Sequence, residues 1–209
     1  HNVMRALKNS FATTILQTVL ALAVSSIAGY GFEIYHDKAK DTVMAILMLA
    51  MMVPFVAVLV PLFQMFTKAK LINSWAGFIM PSIATPFLIM YFRNSARSFP
   101  RDTLEAARID GLNEFQIFIR MFIPMMKPTY ASAATITFMN AWNAYLWPKV
   151  IMQTNEAITM PMLVANTMGG YVIDYGVVMA AVTICSLPTV IIFFCLQKSF
   201  TNAVAGAVK

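Results

Sequence analysis

The sequence predicts an all-α fold, a polytopic bundle of transmembrane helices, on three observations. Of its 209 residues, 59% are hydrophobic and 11% are charged, with a mean hydropathy of +0.70. Five windows contain no Asp, Glu, Lys or Arg: 9–32, 42–67, 71–92, 128–148 and 175–197. Each is longer than the roughly 20 apolar residues that a helix needs to cross a bilayer. None shows the period-two alternation of barrel strands, so we expect five helical spans within a single domain, 1–209.

Prolines inside these windows predict the shape of the spans. In a water-soluble helix each would remove a backbone hydrogen bond and kink or break the helix. In a membrane protein they are tolerated where neighbouring helices satisfy the freed carbonyl groups. We therefore expect kinked spans packed around a path, with prolines at Pro54, Pro61, Pro81, Pro86 and Pro188.

Basic residues in the loops predict the orientation, because cytoplasmic loops retain Lys and Arg during insertion. If segment 93–127 is cytoplasmic, loop 33–41 and the C-terminus are too, and that side holds ten of the 15 basic residues. The net charge of +6 then reflects topology, and we expect no nucleic-acid partner. Five spans with the C-terminus inside place residue 1 outside. Because it is His1, with no initiator Met or cleavable signal before the first span, we expect a further N-terminal span.

Segment 93–127, which we call the elbow, is the charged part of an otherwise apolar chain. It contains ten of the Asp, Glu, Lys and Arg residues. Pro100 suits a first helical turn, and acidic residues follow it near the positive end of the helix dipole. A short helix should therefore begin near Ser98 or Phe99.

The second half of the elbow predicts a turn and another helix. Gly111 fits the left-handed residue that closes a helix, and Asn113 with Gln116 is typical of a capping box. Apolar residues then recur at intervals of three and four: Leu112, Phe115, Ile119 and Phe122. An apolar stripe on a segment too charged to enter the membrane packs either on a partner or on its own bundle or the lipid surface. The pattern alone leaves both open.

The elbow carries a family resemblance. It contains Glu105-Ala106-Ala107, then Gly111, then Met121-Phe122-Ile123-Pro124. This spacing resembles the EAA signature of the membrane subunits of bacterial ABC importers. Members usually have Ile and Leu at the positions of Met121 and Ile123, which is a conservative difference.

The resemblance covers nearly the whole chain and is closest to carbohydrate importers, to subunits similar to the second membrane subunit of maltose transporters. The supporting stretches are Asn9-Ser10, Ala28-Gly29-Tyr30-Gly31-Phe32, Val53-Pro54, Pro61-Leu62-Phe63, Trp142-Asn143, Pro148 and the tail Ala205-Gly206-Ala207-Val208-Lys209.

What the resemblance implies is a permease subunit of an ATP-driven sugar or oligosaccharide importer, multi-pass in the bacterial plasma (inner) membrane. In that family the EAA region docks on an ATPase subunit. The coupling residues implied here are Glu105, Ala106, Ala107, Asp110 and Gly111. The implied partners are a homologous permease, two cytoplasmic ATPase subunits and an extracytoplasmic solute-binding protein, besides the lipid bilayer and the sugar. ATP and Mg²⁺ would bind the ATPase subunits, and no cofactor or metal is expected on this chain.

Polar side chains within a span predict a translocation path, because they are costly in lipid and should face the interior. Four such residues cluster in the fourth window: Asn140, Trp142, Asn143 and Tyr145. Amides and phenols can hydrogen-bond sugar hydroxyls, and an indole can stack on a sugar ring. The alternative is an interfacial aromatic belt of Trp142, Tyr145 and Trp147, with Asn140 linking helices.

Other functional classes fit the residues less well. A nucleotide-binding loop of the Walker type does not occur, and no predicted span holds an Asp or Glu pair, so we expect a transport subunit and not an enzyme. A secondary transporter usually has ionisable groups inside its spans, and the five windows have none. It stays an alternative, as does a permease for a non-sugar solute of the glycerol-phosphate type. Segment 153–173 is expected to be an external loop or surface helix.

Overall fold

The computed structural model describes residues 2–169 and 174–206, with side chains over 3–169 and 174–195, and this part of the chain is helical without strands. The all-α prediction is confirmed. The tail residues 207–209 and residues 170–173 of the expected external segment lie outside the described residues. The helices are α1 (Asn2–Ile34), α2 (Lys38–Ala50), α3 (Phe55–Lys68), α4 (Trp75–Ile79), α5 (Pro86–Ala96), α6 (Arg101–Ile109), α7 (Glu114–Ile117), α8 (Ile123–Met125), α9 (Lys127–Trp142), α10 (Leu146–Ile151), α11 (Met160–Thr167) and α12 (Tyr175–Gly206).

Two helical segments of the described chain are long and apolar enough to cross a membrane, Val3–Ile34 and Tyr175–Cys195. Two bent pairs pass the same test together. Helices α2 and α3 meet at 103°, and the segment Trp75–Ser82 meets α5 at 48°. By length and composition the described residues thus contain two to four candidate spans.

The fourth charge-free window, 128–148, is divided. Helix α9 has 16 residues and ends at Trp142, and the short helix α10 follows. Helix α9 is preceded by a π turn, Phe118–Phe122, and by α8. These short helical segments connect the rest of the elbow to α9. Hydropathy identified an apolar stretch here but not the break within it.

Prolines lie mostly where the helices break. Pro54 is the N-cap of α3, Pro86 is the first residue of α5, and Pro81 lies in a 3-10 turn. At these positions the missing N–H group costs no helical hydrogen bond. Pro61 and Pro188 lie inside α3 and α12.

Helix α1 packs against α5 through a close approach at Gly29. A Cβ atom at this residue would lie 2.6 Å from the Cβ of Phe92 and 2.7 Å from the backbone nitrogen of Arg93. Real Cβ contacts are not that short, so glycine is what allows the two helices to meet here. The adjoining core contains Ala21, Leu88, Phe92 and Ala133.

One end of the bundle joins the start of α1 to the segment between α10 and α11. The side-chain amide of Asn9 donates to the carbonyls of Glu156 (2.8 Å) and Ile158 (3.0 Å). The hydroxyl of Ser10 accepts the N–H of Met160 at 2.7 Å. The described part of segment 153–173 is thus held on α1, and it contains a 3-10 turn and α11.

The same end holds the connection between α3 and α4. The N–H of Asn73 donates to the carbonyl of Ile151 at 2.9 Å. The indole of Trp147 donates to the carbonyls of Gly77 (3.1 Å) and Phe78 (3.2 Å). The elbow lies at the other end of α1 and α5.

Candidate functional site

The first helix of the elbow, α6, begins at Arg101 with Pro100 as its N-cap. The prediction of a start near Ser98 or Phe99 is therefore early by two or three residues. Both residues complete the preceding turn, because their N–H groups donate to the carbonyls of Ser95 and Ala96 at 3.1 Å. Pro100 has no N–H group to donate in this way, and its carbonyl accepts the N–H of Leu104 at 3.3 Å, so α6 starts after it.

Gly111 closes α6 in the left-handed conformation, as predicted, with φ of +81°. The N–H of Leu112 donates to the carbonyl of Ala107 (3.0 Å), and the N–H of Gly111 to that of Arg108 (3.1 Å). This pair of bonds is the Schellman arrangement, which satisfies the last carbonyls of a helix. Glycine adopts this backbone without strain, unlike residues with a Cβ atom.

The capping box that starts α7 is also confirmed. The N–H of Gln116 donates to the side chain of Asn113, and the N–H of Asn113 donates to the side chain of Gln116, both at 2.9 Å. The Gly111 turn fixes where α6 ends, and the capping box fixes where α7 begins. Within the elbow, the short helices α6 and α7 are therefore joined by a turn that contains Gly111.

The predicted apolar stripe divides between two environments. Phe122 is fully buried and Leu112 is half-buried, whereas Phe115 is 68% and Ile119 is 44% exposed. The stripe was derived with α-helical spacing, but Phe118–Phe122 forms a π turn. A π turn has more residues per turn than an α-helix, so the angle between successive side chains is smaller. Phe122 and Phe115 therefore lie on different faces, one buried and one exposed.

The inner side of the elbow packs on the end of α1. Phe118 and Phe122 stack at 5.5 Å between ring centroids, and Tyr30 meets both edge-on at 5.3 Å and 4.9 Å. Leu104 and Ala107 of α6 are buried in the same cluster. These contacts anchor the elbow on its own bundle, which was one of the two alternatives for the stripe.

The implied coupling residues do not share one environment. Glu105, Ala106, Asp110 and Gly111 are exposed, and Ala107 is 2% exposed and packs inward. Next to them Ile109 is 86% exposed, a residue that the sequence interpretation missed. We call Glu105, Ala106, Ile109, Phe115 and Ile119 the exposed elbow surface. It combines large apolar side chains with a carboxylate.

An ion pair spans the Gly111 turn. The carboxylate of Glu114 accepts from the guanidinium of Arg108 at 2.8 Å through Oε1, and Oε2 accepts the hydroxyl of Tyr30 at 3.3 Å. Burial raises the pKa of Glu114, but the nearby hydroxyl of Tyr35 and the guanidinium of Arg108 outweigh it and hold that pKa below its usual range. The same carboxylate raises the pKa of Arg108. Both groups are therefore charged at neutral pH.

A second charged group connects α1, α2 and α5. Arg93, whose side chain is 7% exposed, contacts Glu33 at 3.4 Å and Asp41 at 2.5 Å. Arg97 contacts the same oxygen of Glu33 at 3.3 Å. A buried guanidinium needs such partners, because an unpaired charge would be costly. Loop 33–41 and the start of the elbow are thus at the same end of the bundle.

A small cavity lies between α1, α5 and α6. Its volume is about 140 Å³. Charged side chains dominate its lining: Glu33, Arg97, Arg101, Glu105 and Arg108. Close packing is therefore interrupted where α6 meets the other two helices.

Trp142, one of the four candidate path residues, is 1% exposed. Its indole donates to the carbonyl of Cys185 at 2.8 Å, Phe138 stacks on it at 6.0 Å, and Phe11 meets it at 4.8 Å. The structure gives it a packing role between α1, α9 and α12. Trp147 is buried as well, at 7% exposed, so these two tryptophans do not form an exposed belt.

The other three candidate path residues lie near the end of α9 and are exposed. They are Asn140, Asn143 and Tyr145. The amide of Asn143 donates to the carbonyl of Met139 at 2.8 Å, and Tyr145 is 40% exposed. The structure brings them to one region of the chain, and their contact with a substrate stays a prediction.

Several known proteins similar in sequence to this chain are membrane components of transport systems. Residues 21–206 match the family of binding-protein-dependent transport system inner membrane components. The chain is 40% identical over 201 residues to the lactose transport system permease protein LacG of Rhizobium radiobacter, covering 96% of this chain and 74% of the relative. It is 35% identical over 202 residues to the arabinooligosaccharides transport system permease protein AraQ of Bacillus subtilis (strain 168), covering 96% and 72%.

A solved structure shares the fold. It is a bacterial ABC transporter involved in the import of the acidic polysaccharide alginate, with a TM-score of 0.85 and 21% identity, covering 95% of this chain and 75% of that one. The family match covers most of the chain and includes the whole elbow. The chain therefore belongs to the family of inner membrane components of binding-protein-dependent transport systems.

Proposed function

We propose that this chain is the permease subunit through which an ATP-driven importer moves a sugar or oligosaccharide across the bacterial inner membrane. The elbow lies on the cytoplasmic side and docks on an ATPase subunit. The observation that carries the proposal is the exposed elbow surface, where Ile109 is 86% and Phe115 is 68% exposed.

Exposure of these side chains favours a partner protein. Large apolar groups in a water-facing loop gain free energy when a partner covers them. Within the described residues Glu105 makes no ion pair, so its carboxylate is free to accept charged hydrogen bonds from that partner. Ala106 beside it permits a close approach.

The contacts at the two ends of the bundle support the topology. Hydrogen bonds at one end join residues 9–10, 73, 77–78 and parts of 147–160. Ion pairs at the other end join residues 33, 41, 93 and 97. These contacts support a proposed path of the chain between the two ends along α1, then α2 with α3, then α4 with α5, then α9. With α12 this gives the five passes that we propose as spans. The elbow end carries the excess of Lys and Arg that marks the cytoplasmic side.

Sugar as the substrate class rests on the relatives, whose names specify lactose and arabinooligosaccharides. These names favour a sugar over a solute of the glycerol-phosphate type. We propose Asn140, Asn143 and Tyr145 as path residues, because amide and phenol groups can bond sugar hydroxyls. The proposed partners are a homologous permease, two ATPase subunits that bind ATP and Mg²⁺, and an extracytoplasmic solute-binding protein.

The proposal is tested by uptake into proteoliposomes containing the full assembly, with a panel of labelled sugars and oligosaccharides. Uptake of at least one should require ATP inside and the solute-binding protein outside. Phe115→Asp should reduce binding of the ATPase subunits, whereas the control Phe115→Tyr, which keeps the aromatic ring at this exposed position, should bind them normally. ATP-independent uptake, or full ATPase binding by Phe115→Asp, would contradict the proposal.

A further inference from the structure

The end of α1 carries two polar residues that contact different helices. Tyr30 and Glu33 are three positions apart, so they are neighbours on the helix surface. Tyr30 bonds to the elbow and Glu33 bonds to residues of α5. The end of α1 therefore contacts both networks.

On the elbow side, Glu114 makes both bonds with one carboxylate. Oε1 accepts from Arg108 in the last turn of α6, and Oε2 accepts from Tyr30 of α1. Glu114 itself lies in the first turn of α7. A single side chain thus joins three helices across the Gly111 turn.

On the other side, Glu33 continues the connection. It contacts Arg93 and Arg97 at the end of α5, and Arg93 continues to Asp41 in the first turn of α2. Because Arg93 is buried, its partners hold it in one geometry. Displacement of α1 relative to α5 would require these bonds to change.

Beside the buried cluster that contains Leu104 and Ala107, a cavity leaves part of the α6 surface without packing contacts. About 140 Å³ of space lies between parts of α6, α1 and α5, beside Glu33 and Arg108. Atoms across a gap lose most of their dispersion contact, so a force on α6 is poorly transmitted there by packing. Hydrogen bonds and ion pairs that bypass the cavity can transmit it.

We propose that Glu114 is a positioning residue that transmits motion of α6 to α1 through its paired bonds to Arg108 and Tyr30, and that Glu33 and Arg93 carry that motion on to α5 and α2. This rests on the proposed function, because the motion originates in an ATPase subunit docked on the elbow. The prediction is specific: loss of the Tyr30–Glu114 bond uncouples transport from ATP hydrolysis without preventing assembly.

The experiment measures sugar transported per ATP hydrolysed in the reconstituted full complex. The variants are Tyr30→Phe, Glu114→Gln and the double variant. Tyr91→Phe is the matched control for removing a hydroxyl, and Glu156→Gln, at the opposite end of the bundle, is the control for removing a carboxylate. Assembly is measured by co-purification of the ATPase subunits.

Each of the single changes Tyr30→Phe and Glu114→Gln should lower the transport-to-ATP ratio by about fivefold or more, the range of ordinary coupling between sites. If Tyr30 and Glu114 act through their shared bond, the double variant should have a transport-to-ATP ratio no lower than that of Glu114→Gln. A purely structural role would lower assembly and leave the ratio unchanged. If Glu114→Gln fails to assemble, Tyr30→Phe decides, because it removes one oxygen only.

A wild-type ratio in Tyr30→Phe, or losses that multiply in the double variant, would overturn the inference. These outcomes leave the proposed function intact, because the wild-type complex still transports in an ATP-dependent manner. If instead the wild-type complex showed no ATP-dependent uptake of any sugar, the proposed function would fail first. The two failures are therefore distinguishable.

Discussion

Replacement of Gly111 by Val tests the geometry of the elbow. Gly111 has φ of +81°, and a Cβ atom added there would meet nothing within 4 Å. The Cβ atom of the substituted residue therefore creates no steric clash. The main effect of Gly111→Val is backbone strain, because a β-branched residue disfavours the left-handed region.

The strain can be estimated from general values. A non-glycine residue in the left-handed region costs about 2 kcal/mol. That corresponds to a change of about 30-fold in the equilibrium between this turn and other backbone conformations. The angle between α6 and α7 would then no longer be fixed. The exposed surfaces of the two helices would lose their common arrangement toward a partner.

The assay is transport per ATP in reconstituted complexes, with two control variants. Gly31→Val places the same side chain where no atom lies within 4 Å and φ is helical, so it should transport normally. Gly111→Asn should retain more coupling than Gly111→Val, because Asn tolerates the left-handed region. We expect Gly111→Val to lower the ratio severalfold with the ATPase subunits still expressed. Normal transport by Gly111→Val in an assembled complex would refute the reasoning.

Three further predictions concern stability. Gly29→Val should lower the melting temperature of the purified complex, because overpacking against Phe92 costs about 1–3 kcal/mol. An unchanged melting temperature would disprove the close approach of α1 and α5. Ser10→Ala should cost about 1–3 kcal/mol by leaving the buried N–H at the start of α11 unpaired, whereas the exposed Ser186→Ala should be neutral. Because the pKa of Glu114 is lowered in the folded state, its stabilising effect should be present above the unfolded value near 4.5 and disappear as pH falls through the folded value. Melting of wild type and Glu114→Gln should therefore converge in acid, and a gap that widens would contradict this sign.

Local rules were sufficient for the centre of the elbow. Gly111 and the Asn113–Gln116 capping box involve residues no more than five positions apart, so sequence spacing determines their hydrogen bonds. The EAA resemblance located the same segment independently. These are the parts of the site that the sequence predicted correctly.

Contacts distant in sequence could not be predicted in this way. The Tyr30–Glu114 bond joins residues 84 positions apart, and the bond of Trp142 to the Cys185 carbonyl joins residues 43 apart. A polar aromatic residue in an apolar window looks the same whether it faces a path or a neighbouring helix. Burial of Trp142 was therefore not visible from composition.

Hydropathy windows also do not show how the helices within them are oriented. The window 42–67 is uniformly apolar, yet α2 and α3 meet within it at 103°. Composition reports that a segment avoids water, whereas the angle depends on the helices that it packs against. The exposure of Ile109 has the same origin, since only the packing of α6 decides which of its apolar residues stay uncovered.

The most direct test of the account is site-specific photo-cross-linking from Phe115 in the assembled complex. A photoreactive amino acid at this position should produce a covalent product with an ATPase subunit, and the same amino acid at Tyr145 should not. Products formed only within this subunit or with lipid, or labelling of position 115 from outside the cell, would contradict the claim that the exposed elbow surface receives the ATP-driven motion.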